Sequence, residues 1–211
     1  MSLYSTHILP WAMHSVCGMA RIMRLREKLV PHAEGVVLEI GIGSGLNLPC
    51  YDVSKVVRLW GLDPSKKMAR LAEKAARNVA FDVDIIIRSG EDIPLEDNCV
   101  DTIVMTYTLC SILDVRTAVQ EMTRVLKPQG SLLFCEHGAS PEPTVRSWQK
   151  RLTPLWKRLA GGCHLDRDIP QLITENGMRI MELEAKYISN WRIPSFTYMG
   201  RAKPYQWRST S

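Results

Sequence analysis

The chain has 211 residues, 45% of them hydrophobic, and carries 27 Lys plus Arg against 22 Asp plus Glu for a formal net charge of +5. This length predicts one globular unit with a sizeable core, and the composition excludes a disordered, collagen-like or coiled-coil chain. The charge is uneven, with 15 basic and 17 acidic side chains in residues 1–143 but 12 and 5 in residues 144–211, an excess that suits an anionic substrate, a membrane surface or nucleic acid without choosing among them.

Residues 1–34 are expected to form a helical cap before the sheet, with Pro10 in its first turn and Met13, Val16, Cys17 and Ala20 on one side. The apolar stretch 8–20 is interrupted by Pro10, His14, Ser15 and Gly18. It falls short of the roughly 18 apolar residues of a membrane span and lacks the charge order of a signal peptide. The cysteines, Cys17, Cys50, Cys99, Cys110, Cys135 and Cys163, include no Cys-x-x-Cys pair and are read as reduced thiols of a cytoplasmic protein.

From residue 36 onward, short β-rich runs alternate with amphipathic stretches, the pattern of crossover connections and a mainly parallel sheet. Strands are predicted at 36–41, 57–63, 83–89, 100–107 and 131–137. Between them, Met68, Leu71, Ala72 and Ala75 share one helical face, and Val115, Ala118, Val119, Met122, Val125 and Leu126 share another. Asp114 suits the N-cap of the second helix, which is expected to end before a Lys127-Pro128-Gln129-Gly130 turn. A Trp-containing helical region at 144–160 precedes two strands, 178–188 and 196–203, which predict an antiparallel pair at the sheet edge. The expected division is a cap (1–34), one α/β domain (35–203) and a flexible tail (204–211).

The densest chemical signal is Glu39-Ile40-Gly41-Ile42-Gly43-Ser44-Gly45, where a hydrophobic strand ends in an acid and enters a turn with Gly at every second position. Such a turn can be purely structural, but glycines without Cβ also let a ligand lie against the backbone. The spacing departs from the Gly-x-Gly-x-x-Gly dinucleotide fingerprint, with Leu46 in place of its last Gly. Glu39 suits an ammonium group. Two further acids follow predicted strand ends: Asp63, suited to both hydroxyls of a ribose, and Asp92 of Gly90-Glu91-Asp92, suited to an adenine amino group. Together they point to a nucleoside carrying an amino acid tail.

With Asp63-Pro64-Ser65, Gly90-Glu91-Asp92 and Leu126-Lys127-Pro128-Gln129-Gly130 in this order, residues 35–203 resemble a class I S-adenosylmethionine-dependent methyltransferase of the ubiquinone-biosynthesis type. The resemblance implies a Rossmann-like, seven-stranded α/β fold: a mainly parallel sheet with an antiparallel terminal strand and helices on both faces. It implies S-adenosylmethionine as cofactor, with Glu39, Gly41, Gly43 and Gly45 at the methionine part and Asp63 and Pro64 at the ribose. Gly90, Glu91 and Asp92 would surround the adenine, Met68 would pack near it, and Thr106, Thr108 and Leu109 would line the cofactor. A narrower similarity is carried by Leu109-Cys110-Ser111, Glu136-His137, Trp148-Gln149, Gly162-Cys163-His164-Leu165 and Gly200-Arg201-Ala202. It is to small methyltransferase-like proteins of animals that methylate alkyl thiols, and to uncharacterised bacterial relatives.

A small apolar or aromatic methyl acceptor is therefore expected, through S, O or N, with sulfur preferred. A thiol of pKa about 8.5 is already partly ionised at neutral pH, whereas a phenol near 10 needs more help. His137, beside Glu136, is the candidate catalytic residue, as base or acceptor-orienting group. Residues 161–168 concentrate His, Cys and Asp but match no zinc spacing, so no metal is expected; the stretch reads as a loop over the substrate pocket, hinged at Gly161-Gly162. Arg146, Lys150, Arg151, Lys157 and Arg158 lie among Trp148, Leu152, Leu155 and Trp156, which leaves peripheral membrane contact open, with Pro154 expected to break any long helix. No nucleic-acid partner is expected, because neither a zinc knuckle nor an aromatic RNA-binding signature is present. A lipid or quinone methyltransferase at a membrane surface and a non-catalytic cofactor-binding protein are the alternatives.

Overall fold

The computed structural model describes residues 14–205. Its strands are β1 (Gly35–Ile40), β2 (Val56–Leu62), β3 (Asp82–Ile86), β4 (Val100–Thr106), β5 (Leu126–His137), β6 (Met178–Tyr187) and β7 (Phe196–Pro204). They form one sheet in the order β3-β2-β1-β4-β5-β7-β6. The first five run parallel to one another, and β7 runs antiparallel to both β5 and β6. The helices are α1 (Ala20–Leu29), α2 (Lys66–Ala76), α3 (Val115–Val125), α4 (Pro143–Leu159) and α5 (Ile169–Glu175).

The central strands are apolar on both faces because helices cover both. Val37, Leu59, Val104, Leu133 and Cys135 pack with Leu25 and Leu29 of α1 and Ala72 of α2. Their neighbours of opposite parity, Leu38, Ile40, Ile103, Met105, Leu132 and Phe134, pack with Ala118, Val119 and Met122 of α3 and with Ile169 and Ile173 of α5. Each fully buried side chain of this size contributes about 1.5–3 kcal/mol. Side-chain caps set helix starts: Ser65 Oγ accepts from Met68 N at 3.3 Å, Asp114 Oδ1 from Thr117 N at 3.1 Å and Asp168 Oδ1 from Gln171 N at 3.3 Å.

Four local expectations need correction. The N-terminal helix is not continuous: the described chain is helical at 14–17, turns at Gly18-Met19 and restarts as α1. The face that packs inward is Ile22, Leu25, Arg26 and Leu29, while Val16 and Ala20 are exposed; Met13 and Pro10 lie outside the described residues. The strand predicted at 83–89 ends at Ile86. No separate turn divides α3 from β5, because Leu126 is already extended and pairs with Val100, the register shifting before Thr102 meets Ser131. Finally, α4 runs through Pro154. Pro removes one backbone donor, but Lys150 and Pro154 both lie on the exposed side of α4, where water can satisfy the freed carbonyl. The seven-residue α5 was not anticipated.

Candidate active site

β1 sits between β2 and β4, so the connections leaving the C-terminal ends of β1 and β4 run to opposite faces of the sheet and open a crevice. That crevice is a cavity of about 530 Å³. The turn after β1 forms its floor. Gly41, Gly43 and Gly45 have φ of 70°, 57° and 81°, in the left-handed region that glycine enters at little cost. At Gly41 glycine is demanded twice over, since a Cβ would run into the Thr108 side chain. The N–H groups of Gly41 and Ile42 donate to the Leu62 carbonyl at 2.7 and 3.0 Å, stitching the turn to β2.

At the end of β2, Asp63 Oδ2 accepts from Gly43 N at 3.0 Å and Oδ1 from Ser65 N at 2.8 Å. Burial pushes the Asp63 carboxyl up, and these two N–H donors oppose the shift. Each carboxylate oxygen keeps a further lone pair for a ligand.

Glu39 is 1% exposed and is not part of the cavity wall. Its Oε1 accepts from Asn47 Nδ2 at 2.9 Å and its Oε2 from the Tyr51 hydroxyl at 2.7 Å. Arg26 completes the network, donating from Nη1 to Asn47 Oδ1 at 2.7 Å and to the Thr106 hydroxyl. Burial pushes the Glu39 carboxyl up to about 7, against the Tyr51 hydrogen bond, the Arg26 charge and Asn47. Arg26 itself lines the cavity, and its buried Nε–H has no hydrogen-bond partner among the described residues.

Of the residues singled out in the sequence, Gly41, Gly43, Asp63, Pro64, Met68, Gly90, Glu91, Thr106 and Thr108 line the cavity together. Gly45 packs against Leu48 and Ala75 instead. Leu109 is wholly in the core under α3. The Asp92 side chain is 74% exposed, ion-paired to Arg88 at 3.4 Å, and off the wall; Arg88 and Glu91 occupy that side. His137 is buried behind the wall, with Nε2 2.8 Å from Cys163 Sγ, so it does not face the cavity directly.

The 161–168 segment borders the cavity through Gly161 and Cys163 but is tied down. His164 N donates to the Cys110 carbonyl at 2.8 Å, and Arg167 donates to the carbonyls of Leu109 and, at 2.7 Å, Ile112. Cys163 and Cys110 lie 3.5 Å apart, and Cys163 also meets His137. The hydrogen bond shared with Cys110, and then the hydrogen bond and charge of His137, hold the Cys163 thiol well below its usual pKa against its burial, whereas Cys110 is raised by the bond it shares with Cys163 and by burial. Burial lowers His137, but the hydrogen bond and charge of Cys163 outweigh it and raise the imidazole overall.

Several wall residues escaped sequence reasoning, among them His14, Cys17, Arg26, Arg88 and Tyr107. A signal existed for Arg26, a lone charge on the apolar Ile22-Leu25-Leu29 face of α1. None existed for the meeting of Cys110, His137 and Cys163, which come from three distant segments.

Residues 38–134 match the family model described as a methyltransferase domain. Thiol S-methyltransferase TMT1B of Rattus norvegicus is 33% identical over 170 residues, 79% of this chain and 66% of that protein. Thiol S-methyltransferase TMT1A of Homo sapiens is 32% identical over 149 residues, 68% of this chain and 60% of that protein; the chain thus spans just under two thirds of these relatives' length. In fold, it matches a SAM-dependent methyltransferase of Methanosarcina mazei with a TM-score of 0.65 at 20% identity, covering 82% of this chain and 93% of that one. Sheet order and glycine turn give the chain the fold of a class I S-adenosylmethionine-dependent methyltransferase, and residues 38–134 match a methyltransferase domain. Within that class its sequence is similar to the thiol S-methyltransferases.

Proposed function

We propose that the protein binds S-adenosylmethionine in the cavity between the ends of β1, β2 and β4 and methylates the sulfur of a small apolar thiol. One observation carries this reading: a single cavity is lined both by polar groups, the glycine turn, Asp63 and Arg26, and by the three cysteines Cys17, Cys110 and Cys163. The residues fit the cofactor. Arg26 presents a buried Nε–H, unpartnered among the described residues, that suits its carboxylate, and Asp63 keeps free lone pairs for two ribose hydroxyls. Glu91 stands on the wall for the adenine amino group, with Pro64, Met68 and Ile112 as apolar contacts. Glu39 acts from beneath, fixing Asn47 and through it Arg26.

When bound, the cofactor supplies an electrophilic methyl group on a sulfonium. The chain's own work is to align the acceptor and exclude water. The half-apolar wall of Tyr107, Cys110, Leu113 and Cys163 suits that role, and a thiol acceptor asks less of a base than a phenol does. His137 reaches the cavity only through Cys163, so it acts as a positioning residue. The test is transfer of labelled methyl across a panel of alkyl and aryl thiols, phenols, quinols, amines and phospholipids. Transfer to thiols at least tenfold above the rest is expected; transfer to phenols or lipid amines without thiols would overturn the reading.

A further inference from the structure

The turn after β4, the end of β5 and the segment after α4 bring three soft donors together. Cys110 Sγ, His137 Nε2 and Cys163 Sγ are buried and lie within 4.8 Å of one another, with Cys163 2.8 Å from His137 and 3.5 Å from Cys110. We propose that they form a binding site for a soft divalent cation, with zinc as the reference ion, whose fourth position opens on the cavity. A tetrahedral zinc with sulfur at about 2.3 Å and nitrogen at about 2.0–2.1 Å sets its donors roughly 3.5–3.8 Å apart, so His137 and Cys163, 2.8 Å apart, need part by less than about 1 Å, the two sulfurs, 3.5 Å apart, hardly move, and Cys110 and His137, within 4.8 Å, close by at most about 1.3 Å. Cys110 and Cys163 belong to the cavity wall and His137 lies behind them. The three ligands therefore sit on one side of the ion, and the free position faces the cavity, the pattern of zinc sites that take an exchangeable ligand.

The surroundings fit a cation. His137 is buried and held by its 2.8 Å contact with Cys163. Neighbouring Glu136 is fully buried and its Oε2 has no hydrogen-bond partner among the described residues. The bonds from His164 to Cys110 and from Arg167 to Leu109 and Ile112 clamp the two cysteine segments together, so the donors are assembled in advance. Resting on the thiol reading above, the open position takes the acceptor. Its S–H proton leaves to solvent as a sulfur electron pair bonds to the metal, and the acceptor is held at the wall as a thiolate.

The test uses the full chain, kept reduced and stripped with chelator. Zinc is titrated against a chromogenic chelator, and cobalt is added separately while the visible spectrum is recorded. One zinc per chain is expected, bound at least tenfold more weakly by Cys110→Ser, Cys163→Ser and His137→Ala, with Cys99→Ser unchanged. Cobalt should give thiolate charge-transfer bands and the intense visible bands of a tetrahedral site. Calorimetry with S-adenosylmethionine certifies that each variant folds. Equal zinc affinity in wild type and a Cys110→Ser/Cys163→Ser variant would overturn the site, as would a Cys110–Cys163 disulfide that binds no zinc even after reduction. An alkanethiol, but not the matching alcohol, should change the cobalt bands. A protein that methylates thiols while its cobalt spectrum ignores them would overturn the metal-held acceptor and leave the proposed function intact. A spectrum that responds to thiols with no methyl transfer to them would retain the site and reject the function.

Discussion

Arg26 of α1 and Asn47, just after the glycine turn, are joined by a 2.7 Å hydrogen bond from Nη1 to Oδ1. Asn47 in turn donates to Glu39 at 2.9 Å and to Thr106 Oγ1 at 3.1 Å. A residue from the segment preceding the sheet is thus wired to the ends of both β1 and β4. The segment that would pass for a covering helix is part of the cavity wall.

Arg26→Ala is expected to weaken S-adenosylmethionine binding by about tenfold to a hundredfold, the worth of about 1.5–3 kcal/mol for a hydrogen bond to a charged group. Calorimetry with 5′-methylthioadenosine, which lacks the amino acid carboxylate, separates binding from architecture. It should bind wild type and variant alike. Equal losses for both ligands would reduce Arg26 to a structural strut.

Asp63→Ala should be felt in both stability and binding, because it orphans the N–H groups of Gly43 and Ser65 as well as removing the ribose acceptor. Both donors are half-buried on the cavity wall, so each costs at most the about 1–3 kcal/mol of a fully buried one. A lower melting temperature is expected, with cofactor affinity reduced at least a hundredfold. Asp63→Asn, which keeps one acceptor oxygen, should fall between. A variant that binds normally would remove Asp63 from the ribose.

The sheet and the glycine turn were legible because local signals and tertiary structure agree there: β-rich runs alternate with amphipathic helices, and glycines occur where φ is positive. Asp63 and Met68 were legible as strand-end and helix-face residues. Asp92 misled because sequence places a carboxylate near a strand end without saying which way it points; the strand stops at Ile86, and Asp92 turns to Arg88 and solvent. His137 misled because its neighbour in space, Cys163, lies 26 residues away. The meeting of Cys110, His137 and Cys163 was illegible for the same reason, since spacing rules read only groups that are close in sequence.

Gly41→Ala and Gly43→Ala make a paired test of the turn. Both residues have positive φ, costing an alanine about 1–2 kcal/mol. Only at Gly41 does the new Cβ also collide, with the Thr108 side chain; at Gly43 it meets Met68 Cε at an ordinary 3.6 Å. Urea unfolding should therefore show a larger loss for Gly41→Ala. Gly43→Ala should stay folded yet bind S-adenosylmethionine more weakly, because its methyl stands where the ligand approaches the backbone. Equal destabilisation would mean that Thr108 yields without cost.

Glu39 makes stability depend on pH in a definite direction. Burial pushes its folded-state carboxyl up to about 7, whereas an unfolded Glu titrates near 4.3. Between those values the folded protein holds a proton that the unfolded chain has released, so this contribution to stability is complete below about pH 4 and is lost as pH rises through about 7. Glu39→Gln stays neutral throughout while retaining hydrogen-bonding groups for Tyr51 and Asn47. Unfolding free energies of the two proteins, measured from pH 5 to pH 8, should diverge. The wild type should lose ground to Glu39→Gln by at most about 1.4 kcal/mol per pH unit up to about pH 7, and by little beyond. A gap between the two that stays constant across this range would mean that Glu39 is already ionised in the folded protein, paired to Arg26 more closely than the intervening Asn47 permits.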